Sequence, residues 1–405
     1  MEIKLNRRFS GALDLARWIA AFSVVITHAA NIMVARIAYS PATARSPMLY
    51  LWVLLGGFGH QSVTIFFILS GYLVGGRLLE RVQRTGSIEW KRYFIDRVVR
   101  IELVLIPALI LTFVCDRLAS RYLPGAMQPF LREHASWGIF FGNIANLQNF
   151  YVVFFGSDGP IGTLANEFWY YFTFPLLLAP LLSARPRMER VLLFVSGLAL
   201  CFIFWWPQHS HLLGFLLWLM GVLVAASNRA WLPSVRWSTA LVLLTLLLIR
   251  AVMRREYSEN MWYLFFADLV LSVAFANLML ALRFAPDPKH SWCYSPLHTR
   301  LAGFSFSLYA CHMPLLFLAA GFCKVHFGFG TADVIEHASQ WFLIAAAIAF
   351  ILIATYLFSL LTEHNTAAVR HAVYRLFHAE RATRSDGPGT EGVMRHPALG
   401  QESGQ

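Results

Sequence analysis

An arginine and a histidine share one apolar stretch near the start of the chain, and their spacing suits a long ligand. Arg17 and His28 stand eleven residues apart in LDLARWIAAFSVVITHAANIM. On an α-helix this separation is about 20° beyond three full turns, with a rise of about 16.5 Å. Both side chains therefore share a helix face without touching. An arginine at the membrane surface can hold phosphate, and a histidine deep in the bilayer can act as a general base.

Coenzyme A has a matching shape, because a pantetheine arm separates its phosphates from its thioester. A structural explanation of the same spacing carries equal weight. In that interpretation Arg17 extends to the surface and pairs with Asp14 one turn earlier. His28 then only forms a hydrogen bond with a neighbouring helix.

Small residues and a second basic pair follow in the next two apolar stretches. Ser70 and Gly71 interrupt the bulky run SVTIFFILSGYLVGG, which fits either a ligand groove or a seam where two helices pack closely. Arg97 and Arg100 lie three residues apart on one helix face, where a helix enters the membrane. Such a pair can grip phosphate, or it can anchor the helix at the lipid headgroups.

A carboxylate and a second histidine complete the candidate residues. Glu167 begins an aromatic stretch and can bind a sugar or orient a base, or it can be a solvated carboxylate at the membrane boundary. His312, in FSFSLYACHMPLL, is a second histidine inside an apolar stretch. A structural polar group whose hydrogen bonds are satisfied is the favoured interpretation of His312.

The elements that must position these residues are membrane helices. The chain has 405 residues, of which 58% are hydrophobic and 14% charged, and its mean hydropathy is +0.56. Soluble proteins have about 25% charged residues. We expect an all-α polytopic transmembrane helical bundle of about ten spans. The apolar blocks lie at 12–34, 60–79, 98–115, 168–183, 190–206, 211–227, 238–253, 261–283, 304–322 and 341–361.

The basic residues predict the orientation of the bundle. Ten spans with a cytoplasmic N-terminus place 24 of the 33 Lys and Arg residues on the cytoplasmic side. Both termini are then cytoplasmic. The segment 138–155 contains three asparagines and a glutamine, so we expect it to be a re-entrant or outer-face segment.

The remaining features limit the other function classes. Residues 1–363 form the predicted membrane domain, and 364–405 a basic amphipathic helix to about Arg381 followed by a disordered cytoplasmic tail. The net charge of +11 is spread between apolar blocks, so no nucleic-acid partner is predicted. The five cysteines include no CxxC pair, which indicates neither a disulfide framework nor a zinc site. We expect no metal and no permanently bound cofactor.

Six landmarks together resemble acyltransferase family 3, a family of integral membrane O-acyltransferases. They occur in the family's order and extend over about residues 11–363. The landmarks are Arg17 with His28, FFILSGYL at 66–73, Arg97 with Arg100, Glu167, SLYACHMPL at 307–315, and Glu363.

The resemblance implies a chemistry and a set of site residues. Members take acyl groups from cytoplasmic acyl-CoA and modify hydroxyls of cell-envelope or exported carbohydrates. Acetyl-CoA is the preferred donor, the acceptor is a carbohydrate, and the location is a bacterial inner membrane. The implied catalytic residues are His28 and Glu167. The implied donor-binding residues are Arg17, Arg97, Arg100, Ser70 and Gly71.

Two departures from the family pattern and one alternative function remain. Many relatives carry Gly-Val-Asp where this chain has Ser62-Val63-Thr64, which excludes a carboxylate at position 64. The segment 163–167 lacks the Trp and Ser that usually precede the glutamate. A transporter or flippase is the alternative, since intramembrane charges also line transport paths. The absence of an internal repeat and the one-sided arginine pair argue against it.

Overall fold

The computed structural model describes residues 7–252, 260–286 and 295–385, and within these ranges the chain forms helices and no extended strand. A π-helix, Gly71–Gly76, joins α3 to α4, and 3-10 turns lie at Ile37–Tyr39, Ala42–Ala44, Ala179–Leu181 and Glu363–Asn365. The helices are α1 (Arg7–Met33), α2 (Pro47–Leu55), α3 (Gly59–Ser70), α4 (Arg77–Thr85), α5 (Trp90–Tyr122), α6 (Pro124–His134), α7 (Trp137–Ile144), α8 (Ile161–Leu177), α9 (Arg187–Trp205), α10 (His209–Ala226), α11 (Val235–Val252), α12 (Met261–Phe284), α13 (Pro296–Ala302), α14 (Ser305–Phe327), α15 (Ala338–Leu361) and α16 (Thr366–Ser385).

Within the described ranges, nine helical stretches are long and apolar enough to cross a membrane. They confirm the polytopic bundle, and they match nine of the ten predicted spans. The remaining predicted span, 168–183, is instead helix α8, which begins after Pro160 and has 17 residues. A 3-10 turn that contains Pro180 follows the end of α8, because a proline cannot continue the hydrogen-bonding pattern of an α-helix. Because α8 is largely buried against protein, it does not need the full length of a lipid-exposed span.

The polar segment 138–155 does not cross the bundle as one helix. It consists of the short helix α7 and an irregular loop, in which Asn146 and Asn149 adopt left-handed backbone conformations. The buried side chain of Asn143 donates to the carbonyl of Val153 and accepts from the backbone N–H of Phe155. The Asn143 amide therefore satisfies backbone groups within the segment, while Gln148 donates to the carbonyl of Ile161 and Asn146 donates to Glu102. Its position at the outer face, like the cytoplasmic location of both termini, stays a prediction.

Helix α14 occupies the interior of the bundle. Most of its residues are buried, and it packs against α1, α5 and α15. α1 also packs against α3, α12 and α13. Large apolar side chains on α9, α11 and α15, such as Phe202, Leu247 and Ile353, are exposed, which is the surface expected to face lipid.

The end of α3 packs so closely against α10 that their backbones are in contact. A Cβ atom on Gly71 would overlap the carbonyl oxygen of Trp218, and one on Gly221 would overlap the carbonyl oxygen of Ile68. Only glycine permits this approach at both positions. The π-helix begins at Gly71, and such local unwinding often lies at functional sites.

The described chain divides into two compact units, one up to Thr366 and one that begins at Ala367. The predicted C-terminal helix is present as α16, which ends a few residues beyond the predicted Arg381. The predicted boundary between residues 363 and 364 stays a prediction. The predicted disordered tail begins after about Arg381, and its residues from 386 onward lie outside the described residues.

Candidate active site

A single unbroken helix carries both Arg17 and His28. Since α1 runs from Arg7 to Met33, the predicted shared face and the rise of about 16.5 Å apply without a kink. The ring of His28 faces the ring of His312 on α14, with a centroid separation of 5.2 Å and an interplanar angle of 37°. The two intramembrane histidines, 284 positions apart in the chain, therefore form one pair.

The hydrogen bonds of His312 determine its tautomer. Its Nδ1 lies 2.8 Å from the carbonyl oxygen of Tyr309 and 3.2 Å from that of Leu308. A carbonyl oxygen only accepts, so Nδ1 carries the proton and donates. In the neutral ring Nε2 then keeps a lone pair, and this buried atom has no hydrogen-bond partner among the described residues. The interpretation of His312 as a fully satisfied structural group is therefore wrong.

The predicted arginine pair lies at the start of α5, against aromatic rings. The guanidinium of Arg97 lies 5.9 Å from the ring centroid of Tyr171 and 5.8 Å from that of Tyr93. Arg100 lies 6.0 Å from the ring of Phe306. The Nε of Arg97 is buried and, among the described residues, has no acceptor. A buried donor without an acceptor is suited to an anionic ligand.

Arg17 joins the same charged region. Its Nη1 lies 3.8 Å from Asp14 Oδ1, the pair expected from their spacing, and it interacts electrostatically with Arg100 and Glu363. Glu363 is held by Ser307, whose backbone N–H and hydroxyl each donate to Oε2 at 3.0 Å. The structure thus brings Arg17, Arg100 and Glu363 together from helices far apart in sequence. We name Arg17, Arg97 and Arg100 the arginine cluster.

Glu167 belongs to the arginine side of the site rather than to the histidine pair. Its Oε1 accepts a 2.7 Å hydrogen bond from the Tyr171 hydroxyl, which lies 3.0 Å from Ser70 Oγ. Trp218 Nε1 donates to the same Ser70 hydroxyl at 3.1 Å. Glu167 also interacts electrostatically with Arg17. Ser70 is therefore in this hydrogen-bonded chain, whereas Gly71 lies in the packing seam against Trp218. A catalytic role for Glu167 and donor-binding roles for Ser70 and Gly71 stay predictions.

Tyr309 connects the two parts of the site. Its ring centroid lies 6.0 Å from that of His312, and its hydroxyl contacts Thr163 and the carbonyl oxygen of Pro160. The charge of Glu167 also acts on Tyr309. Tyr309 therefore neighbours the histidine pair and is within electrostatic range of Glu167.

The carboxylate of Asp268, which was not among the predicted site residues, lies beside Thr64. Asp268, on α12, accepts from the Thr64 hydroxyl at 3.0 Å, and its other oxygen lies 2.7 Å from His60 Nε2. The sequence excludes a carboxylate at position 64 itself, yet the fold supplies one to that place from another helix. The available signal was Asp268 itself, an ionisable residue inside the apolar block 261–283.

Within the described ranges the structure contains neither a cluster of potential metal ligands nor a disulfide bond. No group of three or more His, Cys, Asp or Glu side chains there is arranged to hold a metal ion. Cys115, Cys201, Cys311 and Cys323 are free thiols, and Cys293 lies outside the described residues.

Comparisons with known proteins agree with these landmarks. The family model described as an acyltransferase domain, of the acyltransferase 3 type, matches residues 10–365. The chain is similar to peptidoglycan O-acetyltransferase OatA of Listeria monocytogenes serovar 1/2a, with 28% identity over 158 residues. That match covers 36% of this chain and 24% of the relative's length. No solved structure matches. With most of its length matched by the family model, the chain belongs to the acyltransferase 3 family.

Proposed function

We propose that the protein transfers an acyl group, with acetyl as the first choice, from acyl-CoA to a hydroxyl of a cell-envelope or exported carbohydrate. The observation that carries the proposal is the position of His28, beside His312 of α14, on the same face of α1 as Arg17. The name of the similar Listeria protein supports acetyl as the acyl group and a glycan as the acceptor. Neither comparison supports the alternative of a transporter or flippase, because both matches are to acyltransferases.

The donor site would extend along α1. The arginine cluster provides three cations, and the buried Nε of Arg97 is a donor that still needs an acceptor. The phosphates of CoA meet that need, since they accept charge-assisted hydrogen bonds from guanidinium groups. The pantetheine arm would then cover the rise of about 16.5 Å to His28. In a bacterial inner membrane the arginine cluster would face the cytoplasm, where acyl-CoA is present.

The histidine pair would supply the base. His28 takes the proton of the acceptor hydroxyl while the oxygen attacks the carbonyl carbon of the thioester. The carbon–sulfur bond then breaks, and the departing thiolate of CoA receives the proton from His28. His312 would act as a positioning residue, because its unprotonated Nε2 can accept the N–H of His28 and leave the other nitrogen of His28 free.

The direct test is acetyl-CoA turnover by purified protein in detergent, with free CoA measured by a thiol reagent. Soluble peptidoglycan glycan strands are added or withheld. We expect glycan-dependent CoA release from the wild type and a loss of about 10²–10⁴-fold in His28→Ala, the usual effect of removing a general base.

A control variant tests whether the loss of activity is specific to His28 or follows from removing any histidine. His326 lies on α14, as His312 does, but is exposed, so His326→Ala should keep the wild-type rate. Near-normal release by folded His28→Ala would overturn the proposed role of His28. If neither the wild type nor His326→Ala releases CoA when soluble peptidoglycan glycan strands are added, the proposed donor and acceptor are overturned.

A further inference from the structure

We propose that a cavity at the end of the bundle opposite to the arginine cluster is the acceptor site, in which the His60–Asp268 pair binds a hydroxyl of the carbohydrate. This inference rests on the proposed function and deepens it. The cavity has a volume of about 500 Å³ and lies between α3, α8, α10 and α12. Small-molecule sites have volumes of about 300–1,000 Å³.

The lining combines the two kinds of surface that a sugar needs. Thr64, Asn166 and His209 present hydroxyl, amide and imidazole groups, and Phe67 and Phe265 present rings. Sugar hydroxyls need donors and acceptors, while the carbon–hydrogen face of a pyranose ring packs on aromatic surface. This many polar groups is not expected in a pocket that faces lipid, because each unpaired polar group there is energetically costly.

The His60–Asp268 pair is the strongest of these features. Asp268 is a carboxylate on a membrane helix and is only 5% exposed. It accepts from the Thr64 hydroxyl at 3.0 Å and from His60 Nε2 at 2.7 Å. With Nε2 donating to Asp268, Nδ1 can accept from a hydroxyl when the ring is neutral and donate to a hydroxyl when the ring is charged. The side chain of His60 is half-exposed and lines the cavity, so Nδ1 is available to a sugar hydroxyl in either charge state.

The cavity adjoins the histidine pair by two routes. Gly59, which precedes His60, approaches Thr27, which precedes His28, so closely that a Cβ atom there would lie 2.7 Å from the Thr27 hydroxyl. By the second route, Thr163 lines the cavity and contacts the hydroxyl of Tyr309, whose ring neighbours His312. The cavity therefore neighbours α1 one residue from His28, and it is linked to the histidine pair through Thr163 and Tyr309.

Donor and acceptor would approach from opposite ends of the bundle. α1 and α3 are antiparallel, because Gly59 at the start of α3 contacts Thr27, and Tyr72 beyond its end contacts Phe9 with ring centroids 5.3 Å apart. The four helices that line the cavity all begin at its end of the bundle. The arginine cluster lies near the starts of α1 and α5, at the other end. This separation suits a reaction that delivers an acyl group across the membrane.

The test measures binding of soluble peptidoglycan glycan strands to the purified full chain by isothermal titration calorimetry, followed by the KM values for glycan and acetyl-CoA. Asp268→Asn removes the charge that orients His60. Loss of a charged hydrogen-bonding partner should weaken glycan binding by about tenfold or more. The KM for acetyl-CoA should change far less.

Two further variants make the result independent of the stability of Asp268→Asn. Ser210→Trp places a bulky ring at the exposed mouth of the cavity without removing any buried hydrogen bond, and it should weaken glycan binding equally. Asp333→Asn makes the same chemical change at an ion pair with Lys324, in a loop outside the cavity, and should leave glycan binding unchanged.

The outcomes separate this inference from the proposed function. Absence of glycan binding by the wild type, or unchanged binding in both cavity variants, would overturn the acceptor site. Glycan binding that depends on Asp268 and Ser210, without any acetyl transfer, would support the acceptor site and overturn the proposed reaction.

Discussion

His28 of α1 and His312 of α14 face each other with ring centroids 5.2 Å apart, and the carbonyl oxygens of Tyr309 and Leu308 hold His312 in one tautomer. The pair is thus asymmetric. His312 has its Nδ1 proton committed to the backbone and offers a lone pair at Nε2. The proposed role of His312 is therefore to accept the N–H of His28 and orient that ring.

The first prediction separates the two nitrogens of His312. In His312→Asn the side-chain amide reaches about as far as Nδ1, whereas in His312→Gln it reaches the position of Nε2. We expect the Gln variant to keep at least about tenfold more acetyl transfer than the Asn variant, the value of one hydrogen bond. The measurement is kcat at saturating acetyl-CoA, with thermal unfolding as the control for folding. Equal rates in the two variants would show that Nε2 is not used.

The second prediction concerns the arginine cluster. Arg97→Glu removes the buried Nε donor and reverses the charge, so it should raise the KM for acetyl-CoA by about 10–100-fold, because a charged hydrogen bond to phosphate contributes about 1.5–3 kcal/mol. The KM for the glycan should change little. Arg185→Glu is the matched control, since Arg185 is exposed and pairs with Glu189 on the surface. A donor KM that stays within twofold of the wild type would exclude Arg97 from the CoA site.

The third prediction distinguishes a packing seam from a ligand groove at Gly71. The Cβ of Gly71→Ala would overlap the Trp218 carbonyl oxygen, which is backbone and has little room to move. We expect overpacking to cost about 3 kcal/mol or more, seen as a large fall in the Tm of the detergent-solubilised protein. Gly125→Ala is the control, because a Cβ there meets nothing within 4 Å, and it should unfold like the wild type. A stable Gly71→Ala with a raised donor KM would instead favour the groove.

Much of the site was predictable where it depends on one helix. Arg17 and His28 share a face because α1 is unbroken, and Arg97 and Arg100 are adjacent because they are three residues apart on α5. Local spacing fully determines both relationships. Ionisable residues inside apolar blocks were also identifiable, since their burial is costly and has to be justified by function.

The pairs that cross between helices were not predictable. His28 meets His312, and His60 meets Asp268, only because the bundle places α1 against α14 and α3 against α12. No periodicity in a single sequence specifies which membrane helices are neighbours. The shift of α8 to Ile161–Leu177 has a similar origin, because its burial by surrounding helices removes the length requirement on which the prediction relied.

The last prediction concerns pH and the loop before α8. Asp158 is fully buried, and burial together with the charge of Asp116 raises its pKa well above the usual value, while the Thr112 hydroxyl partly opposes the shift. A carboxyl whose pKa is raised by folding stabilises the protein at low pH, and this contribution is lost as pH rises above about 4. Asp158→Asn mimics the protonated form, so its Tm should fall less than that of the wild type between pH 5 and pH 8. Parallel Tm curves for the two proteins would show that Asp158 is ionised in the folded state.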